Sequence, residues 1–126
     1  MVEGEGWRLT ALHTPGHCAN HLCFALEGAR ILFSGDHAMS CSTSVVMPPD
    51  GDMASYMAAL ARVAAAEWAL LLPGHGAPLP EPGPLLHALL AHRWERRRWC
   101  WPPCACSPVP RRRRWCRRSM ASWTPG

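Results

Sequence analysis

The sequence predicts an α+β domain in which a mostly antiparallel sheet is covered by helices. Three observations lead there: apolar runs of strand period broken at Gly turns, two segments with apolar residues at helical spacing, and a change of composition near Arg93 that ends the patterned region. Strands first, then helix, strand and helix again, suit a helix layer over a sheet.

The elements follow in order. Trp7-Arg8-Leu9-Thr10-Ala11-Leu12 alternates apolar and polar residues, the mark of a half-buried strand. His21-Leu22-Cys23-Phe24-Ala25-Leu26 reads as a second strand and Ala29-Arg30-Ile31-Leu32-Phe33-Ser34 as a third, joined by a hairpin at Gly28. From Ala38 to Pro49 the pattern dissolves into Ser, Thr, Met and Pro, which predicts a loop. Asp50-Gly51-Asp52 supplies a turn and an acceptor for the free backbone N–H groups of a helix start. The helix expected over Met53 to Glu67 places Tyr56, Leu60 and Val63 on one stripe, with Met53 and Met57 beside it. Trp68 to Leu72 is a short buried strand. Pro78, Pro80, Pro82 and Pro84 are expected to break regular structure before a final helix over Leu85 to Arg97.

Charge and cysteine divide the chain at the same place. The net charge of +4 averages a body, residues 1–92, carrying −5 and a tail, residues 93–126, carrying +9, with no Lys in either. Cys18, Cys23 and Cys41 lie in the body; Cys100, Cys104, Cys106 and Cys116 lie in the tail. An odd total of seven, with no apolar signal segment, argues against a secreted disulfide framework and makes a reducing cytoplasm the expected setting. No run approaches the roughly 18–20 apolar residues of a membrane helix. The 48% hydrophobic content is enough for one small core.

Chemistry concentrates in three places of one design. An apolar run, able to be a buried strand, is followed by Pro or Gly and then by a residue able to bind metal: His17 after Thr14-Pro15-Gly16, Asp36 after Ser34-Gly35, and His75 after Pro73-Gly74. A metal site needs neutral imidazole and ionised carboxylate held rigidly, and short loops at strand ends on a packed scaffold do this. Taken singly, Asp36 reads as a turn former and the two His as loop residues making hydrogen bonds. The recurrence at all three positions favours ligands. His13, His21 and His37 read as supporting or surface residues, His87 and His92 as ordinary helix residues, and Cys18 and Cys41 lack any motif for a catalytic thiol.

At these residues the chain resembles the metallo-β-lactamase fold superfamily, matching T-P-G-H at Thr14–His17, S/T-G-D at Ser34–Asp36 and P-G-H-G at Pro73–Gly76. It looks closest to the β-lactamase-like hydrolases of the endoribonuclease-type branch, and is similar to glyoxalase II in the T-P-G-H-x-x-x-H pattern that ends at His21. The resemblance implies an αββα sandwich of which this chain supplies about half. It also implies zinc: His17 on the first ion, Asp36 bridging two and His75 on the second. Hydroxide formed there would attack an ester, thioester or phosphodiester, in a small-molecule or nucleic-acid substrate. The family's H-x-H-x-D-H motif belongs upstream of Thr14, and Met1 to His13 contain none. The expectation is therefore a C-terminal half-domain with three ligands of a dinuclear site, incomplete and weakly active. A non-catalytic fragment or pseudoenzyme is the alternative.

The tail is read separately. Arg, Trp, Cys and Pro without period, including five of the seven Trp, suit a disordered segment or the product of a shifted reading frame. A basic nucleic-acid-binding arm is another reading, and a thiolate metal site a weaker one because C-x3-C-x-C is not a usual zinc spacing.

Overall fold

Residues 1–100 are described by the computed structural model, with side chains through residue 96. Their strands form one six-stranded sheet in sequence order: β1 (Val2–Gly4), β2 (Trp7–His13), β3 (Leu22–Glu27), β4 (Ile31–Gly35), β5 (Leu70–Pro73) and β6 (Leu79–Pro80). Helix α1 (Met53–Ala64) lies between β4 and β5, and α2 (Gly83–Cys100) follows β6. Every neighbouring pair is antiparallel except β4 and β5. A parallel pair needs a long crossover, and the segment from Asp36 through α1 provides it.

Burial alternates through the central strands as the period-two pattern requires. Cys23 and Ala25, Leu32 and Ser34, and Leu71 point to one side, where they meet Tyr56, Leu60 and Val63 of α1 and Leu86 and Leu89 of α2. Each fully buried Leu here contributes roughly 1.5–3 kcal/mol relative to exposure. Asp52 caps α1, its carboxylate accepting from the Ser55 N–H at 2.7 Å, and the Ser55 hydroxyl together with that N–H holds its carboxyl below the usual range.

Several boundaries differ from the sequence expectation. Helix α1 stops at Ala64 rather than Glu67, and Trp68 is not in a strand; its indole N–H donates to Val63 O at 2.9 Å, closing the helix end. The prolines do not remove regular structure: Leu79 and Pro80 pair with Leu71 and Leu70 as an edge strand, where a missing N–H is tolerated. Pro84 sits in the first turn of α2, which has no need of its N–H. Strand β1, a short stretch with no burial, carries no period-two signal. Helix α2 starts at Gly83 and ends at Cys100 rather than at the expected Leu85 and Arg97, and Arg93, assigned to the tail by composition, belongs to the packed structure, its guanidinium 5.3 Å from the centre of the Tyr56 ring. The remaining expectations for the tail, including those for Cys104, Cys106 and Cys116, fall outside the described residues, and the side chain of Cys100 does too.

The opposite side of the sheet has no covering layer among the described residues. Phe24, Phe33 and Leu72 stand in register across β3, β4 and β5, with the two Phe 38% and 39% exposed, and Leu22 lies beside them at 43%. An apolar row of this kind favours association. The chain alone is therefore expected to self-associate with concentration, and Phe24→Ser with Phe33→Ser to shift sedimentation velocity toward monomer while leaving the far-UV circular dichroism intact. A wild-type chain monomeric at all concentrations would count against this.

Candidate metal centre at three strand ends

Topology brings the three motifs together. Strands β2 and β4 run the same way because both are antiparallel to β3, and β5 runs parallel to β4. The turns that follow β2, β4 and β5 therefore lie at one end of the sheet. Gly74 N–H donates to Gly35 O at 2.9 Å, tying the third turn to the second. The first turn is pinned by Thr14 N–H to His21 O at 3.0 Å and by Asp52 N–H to Gly16 O at 3.0 Å, which fixes it to the start of α1. Gly16 has φ +135°, and a Cβ there would overlap the backbone of Tyr56, so only glycine lets the loop lie against the helix.

His17, Asp36 and His75 face one another. His17 Nε2 is 3.8 Å from Asp36 Oδ2, and His75 Nε2 is 3.5 Å from Asp36 Oδ1. Both separations exceed the roughly 2.7–2.9 Å of a charge-assisted hydrogen bond. His17 Nδ1 is 2.6 Å from Val45 O, a carbonyl that can only accept, so Nδ1 carries a proton and leaves Nε2 as the ring atom that faces the carboxylate. Asp36 Oδ1 is itself buried without a hydrogen-bond donor. Three electron-pair donors thus approach with no hydrogen bond between them. Among the described residues, however, no three His, Cys, Asp or Glu side chains gather so as to hold a single metal ion. The arrangement is two pairs sharing one carboxylate.

The other histidines divide. His21 lies inside the site: Asp36 N–H donates to its Nε2 at 3.3 Å, and its Nδ1 is 2.8 Å from Thr14 Oγ1. Burial holds its pKa below the usual value, helped by His17 and opposed by Asp36. His37 is fully buried, 5.0 Å from the Tyr56 ring, and burial brings its pKa to about 4, with His21, Arg62 and His17 acting in the same direction. It stays neutral. His13 is exposed, its Nε2 3.0 Å from Ala19 O, and His87 makes a bond within its own helix to Gly83 O. Cys18 is half-buried and Cys41 exposed.

The segment read as featureless loop supplies much of the support. Val45 O orients His17, and the Ser44 hydroxyl lies against the carbonyls of Asp36 and His37, 2.8 Å from the latter. Tyr56 O–H donates to His37 O at 3.0 Å, and the Arg93 guanidinium donates to Ser44 O. Ser40 O–H donates to Ala77 O at 2.8 Å, closing the loop over the third turn. Ser44 and Val45 carry no periodic signal, and only tertiary contact gives them these roles.

The sequence profile of the metallo-beta-lactamase superfamily matches residues 2–75. The chain belongs to the metallo-beta-lactamase superfamily. It is 39% identical to the atrochrysone carboxyl ACP thioesterase AgnL7 of Paecilomyces divaricatus over 97 residues, 76% of this chain and 29% of that protein. It is 36% identical to the lactamase-like protein aptB of Emericella nidulans over 71% of this chain and 28% of that protein. The chain therefore spans a little under a third of the length of these curated relatives. Among solved structures it resembles a metallo-beta-lactamase family protein of Thermus thermophilus, with a TM-score of 0.69 and 26% identity over 78% of this chain and 34% of that one. TTHA1623, solved in a di-iron-bound form, matches with a TM-score of 0.55 and 26% identity over 67% of this chain and 42% of that one. The fold is thus a partial metallo-beta-lactamase fold, as the motifs suggested.

Cys23 yields a pH prediction for this superfamily member. Its side chain is fully buried, its S–H donates to Ser34 O at 3.3 Å, and burial pushes its thiol from 9.0 to about 11 against a lowering by the Thr14 hydroxyl. A folded pKa raised above the unfolded one leaves stability whole below pH 9.0 and removes it as pH rises toward 11. The chain has no Lys, and the other side chains of types that ionise in this range are six Cys and one Tyr, so the readout is the difference between the wild type and Cys23→Ala. Urea midpoints are expected to fall over that window in the wild type and to fall measurably less in Cys23→Ala.

Proposed function

We propose that this chain contributes His17, Asp36 and His75 to a dinuclear zinc site of a hydrolase acting on a small-molecule thioester. The observation that carries the reading is the Asp36 carboxylate, half-buried and with its Oδ1 buried without a donor, facing two imidazole Nε2 atoms. Two ligands bound at about 2.0–2.1 Å in tetrahedral geometry lie roughly 3.4 Å apart, near the two separations found here. Each carboxylate oxygen faces a different imidazole, which suits a residue shared between two ions. The di-iron-bound TTHA1623 supports a two-metal reading, and the thioesterase AgnL7 supports thioester chemistry.

Bound zinc would supply a water acidified to a pKa of about 7 and a Lewis acid at the substrate carbonyl. The protein's own part is to hold donors in place. Val45 O keeps the His17 proton on Nδ1, so that Nε2 stays free as a donor. The Ser44 hydroxyl on the Asp36 carbonyl, and the Tyr56 hydroxyl on the next one, fix the backbone that carries the carboxylate. With no helix among the described residues long and apolar enough to cross a membrane, a cytoplasmic setting suits the free thiols.

A second reading, a half-site without turnover, is favoured by one observation: the described donors pair around Asp36 but do not close as three on a single point. Both readings predict zinc binding by this chain that is weak. Calorimetric titration with zinc is expected to show binding abolished by Asp36→Ala and lowered by His17→Ala and by His75→Ala. Hydrolysis of a generic acyl thioester is expected to be slow and zinc-dependent under the first reading and absent under the second. Unchanged zinc binding in Asp36→Ala would remove the basis of both. The nucleic-acid arm needs salt-dependent binding that is lost on deletion of residues 101–126, which leaves α2 and Arg93 in place.

A further inference from the structure

Four hydrogen bonds around His21 form one directed chain. At one end Asp36 N–H, which can only donate, meets His21 Nε2 at 3.3 Å. At the other end Ser34 O, which can only accept, receives Cys23 S–H at 3.3 Å. Between them Thr14 O–H donates to Cys23 Sγ at 3.2 Å. Thr14 has one proton and has given it to sulfur, so the 2.8 Å contact between Thr14 Oγ1 and His21 Nδ1 requires the ring to donate. Every member then has one role, and His21 must be neutral with its proton on Nδ1.

The chain begins and ends on the same turn. Ser34 and Asp36 flank Gly35, and the path between them passes through the turn after β2 and through β3, locking three elements at the point where the carboxylate leaves the sheet. Gly35 has φ +52°, and a Cβ there would stand 3.0 Å from His21 Nε2, so the backbone and ring have closed to their limit. Thr14, Cys23 and Ser34 are all buried, so water has little access to compete for these bonds.

We propose that His21 is a positioning residue, which orients Asp36 by accepting its backbone N–H and does so only as the Nδ1–H tautomer, set by the chain through Thr14 and Cys23. This rests on the reading of Asp36 as a ligand for its consequence, but not for its geometry. A ring with the proton on Nε2 would place two protons against each other at Asp36 and leave Thr14 without its donor.

The test is nitrogen-15 NMR of the full chain with labelled histidine, without metal. His21 is expected to show a protonated Nδ1 and an unprotonated Nε2. Thr14→Val is expected to move it toward the Nε2–H form, and Thr14→Ser to restore the Nδ1–H form. In zinc titrations, His21→Gln, whose amide oxygen reaches the position of Nε2, is expected to keep the affinity, and His21→Asn, which does not reach, to lose roughly 10- to 100-fold. An Nε2–H tautomer in the wild type, or a tautomer indifferent to Thr14→Val, overturns the proposal, as does equal zinc affinity in the Gln and Asn variants of a chain whose wild type binds zinc. If the wild type shows the Nδ1–H tautomer but binds no zinc, the positioning role stands and the function proposed above fails.

Discussion

One parallel pairing governs this molecule. Because β5 joins the sheet alongside β4 in the same direction, the turn carrying His75 emerges beside the turn carrying Asp36, and the Gly74–Gly35 hydrogen bond seals them. An antiparallel β5 would send Pro73 and His75 to the far end of the sheet. The crossover that allows the parallel pairing also has to be built, and it is built from α1 and the segment before it. That segment then reaches the site itself, through Val45 on His17 and Ser44 on the Asp36 backbone. Fold and site are therefore satisfied by the same connection.

Sequence pattern revealed those parts in which chemistry repeats along the chain. The central strands β3, β4 and β5 were legible as short apolar runs that end at Gly or Pro turns, and α1 because Tyr56, Leu60 and Val63 share a stripe. The three donors were legible because each follows a strand and a Gly turn. What pattern did not reveal depends on contacts between distant residues. The edge strands are too short to show alternation, and β6 is hidden under prolines that an edge position tolerates. His37 looked like a surface neighbour of Asp36, yet it lies in the core against Tyr56 with neither ring nitrogen paired among the described residues. Its direction is set by the tight turn after β4, in which His37 N–H donates to Ser34 O at 3.0 Å, and not by any feature of its own.

The two faces of the sheet carry different kinds of information. The face under the helices is closed by buried Leu, Tyr, Met and Val side chains. The other presents Phe24, Phe33 and Leu22 without a layer over them among the described residues. A chain that spans under a third of its relatives' length, and about a third of a structural neighbour, has room in that longer architecture for a second layer.

Arg93 draws the last helix into this account. Its guanidinium lies over the Tyr56 ring while donating to the carbonyl of Ser44, whose hydroxyl rests on the backbone of Asp36. Docking of α2 and the set of the carboxylate are in this way joined by one run of contacts. Where those contacts couple the two, thermodynamic reciprocity has a cation seated between Asp36 and either imidazole slow hydrogen exchange in a helix it never touches, and fraying of that helix loosen the cation to the same degree.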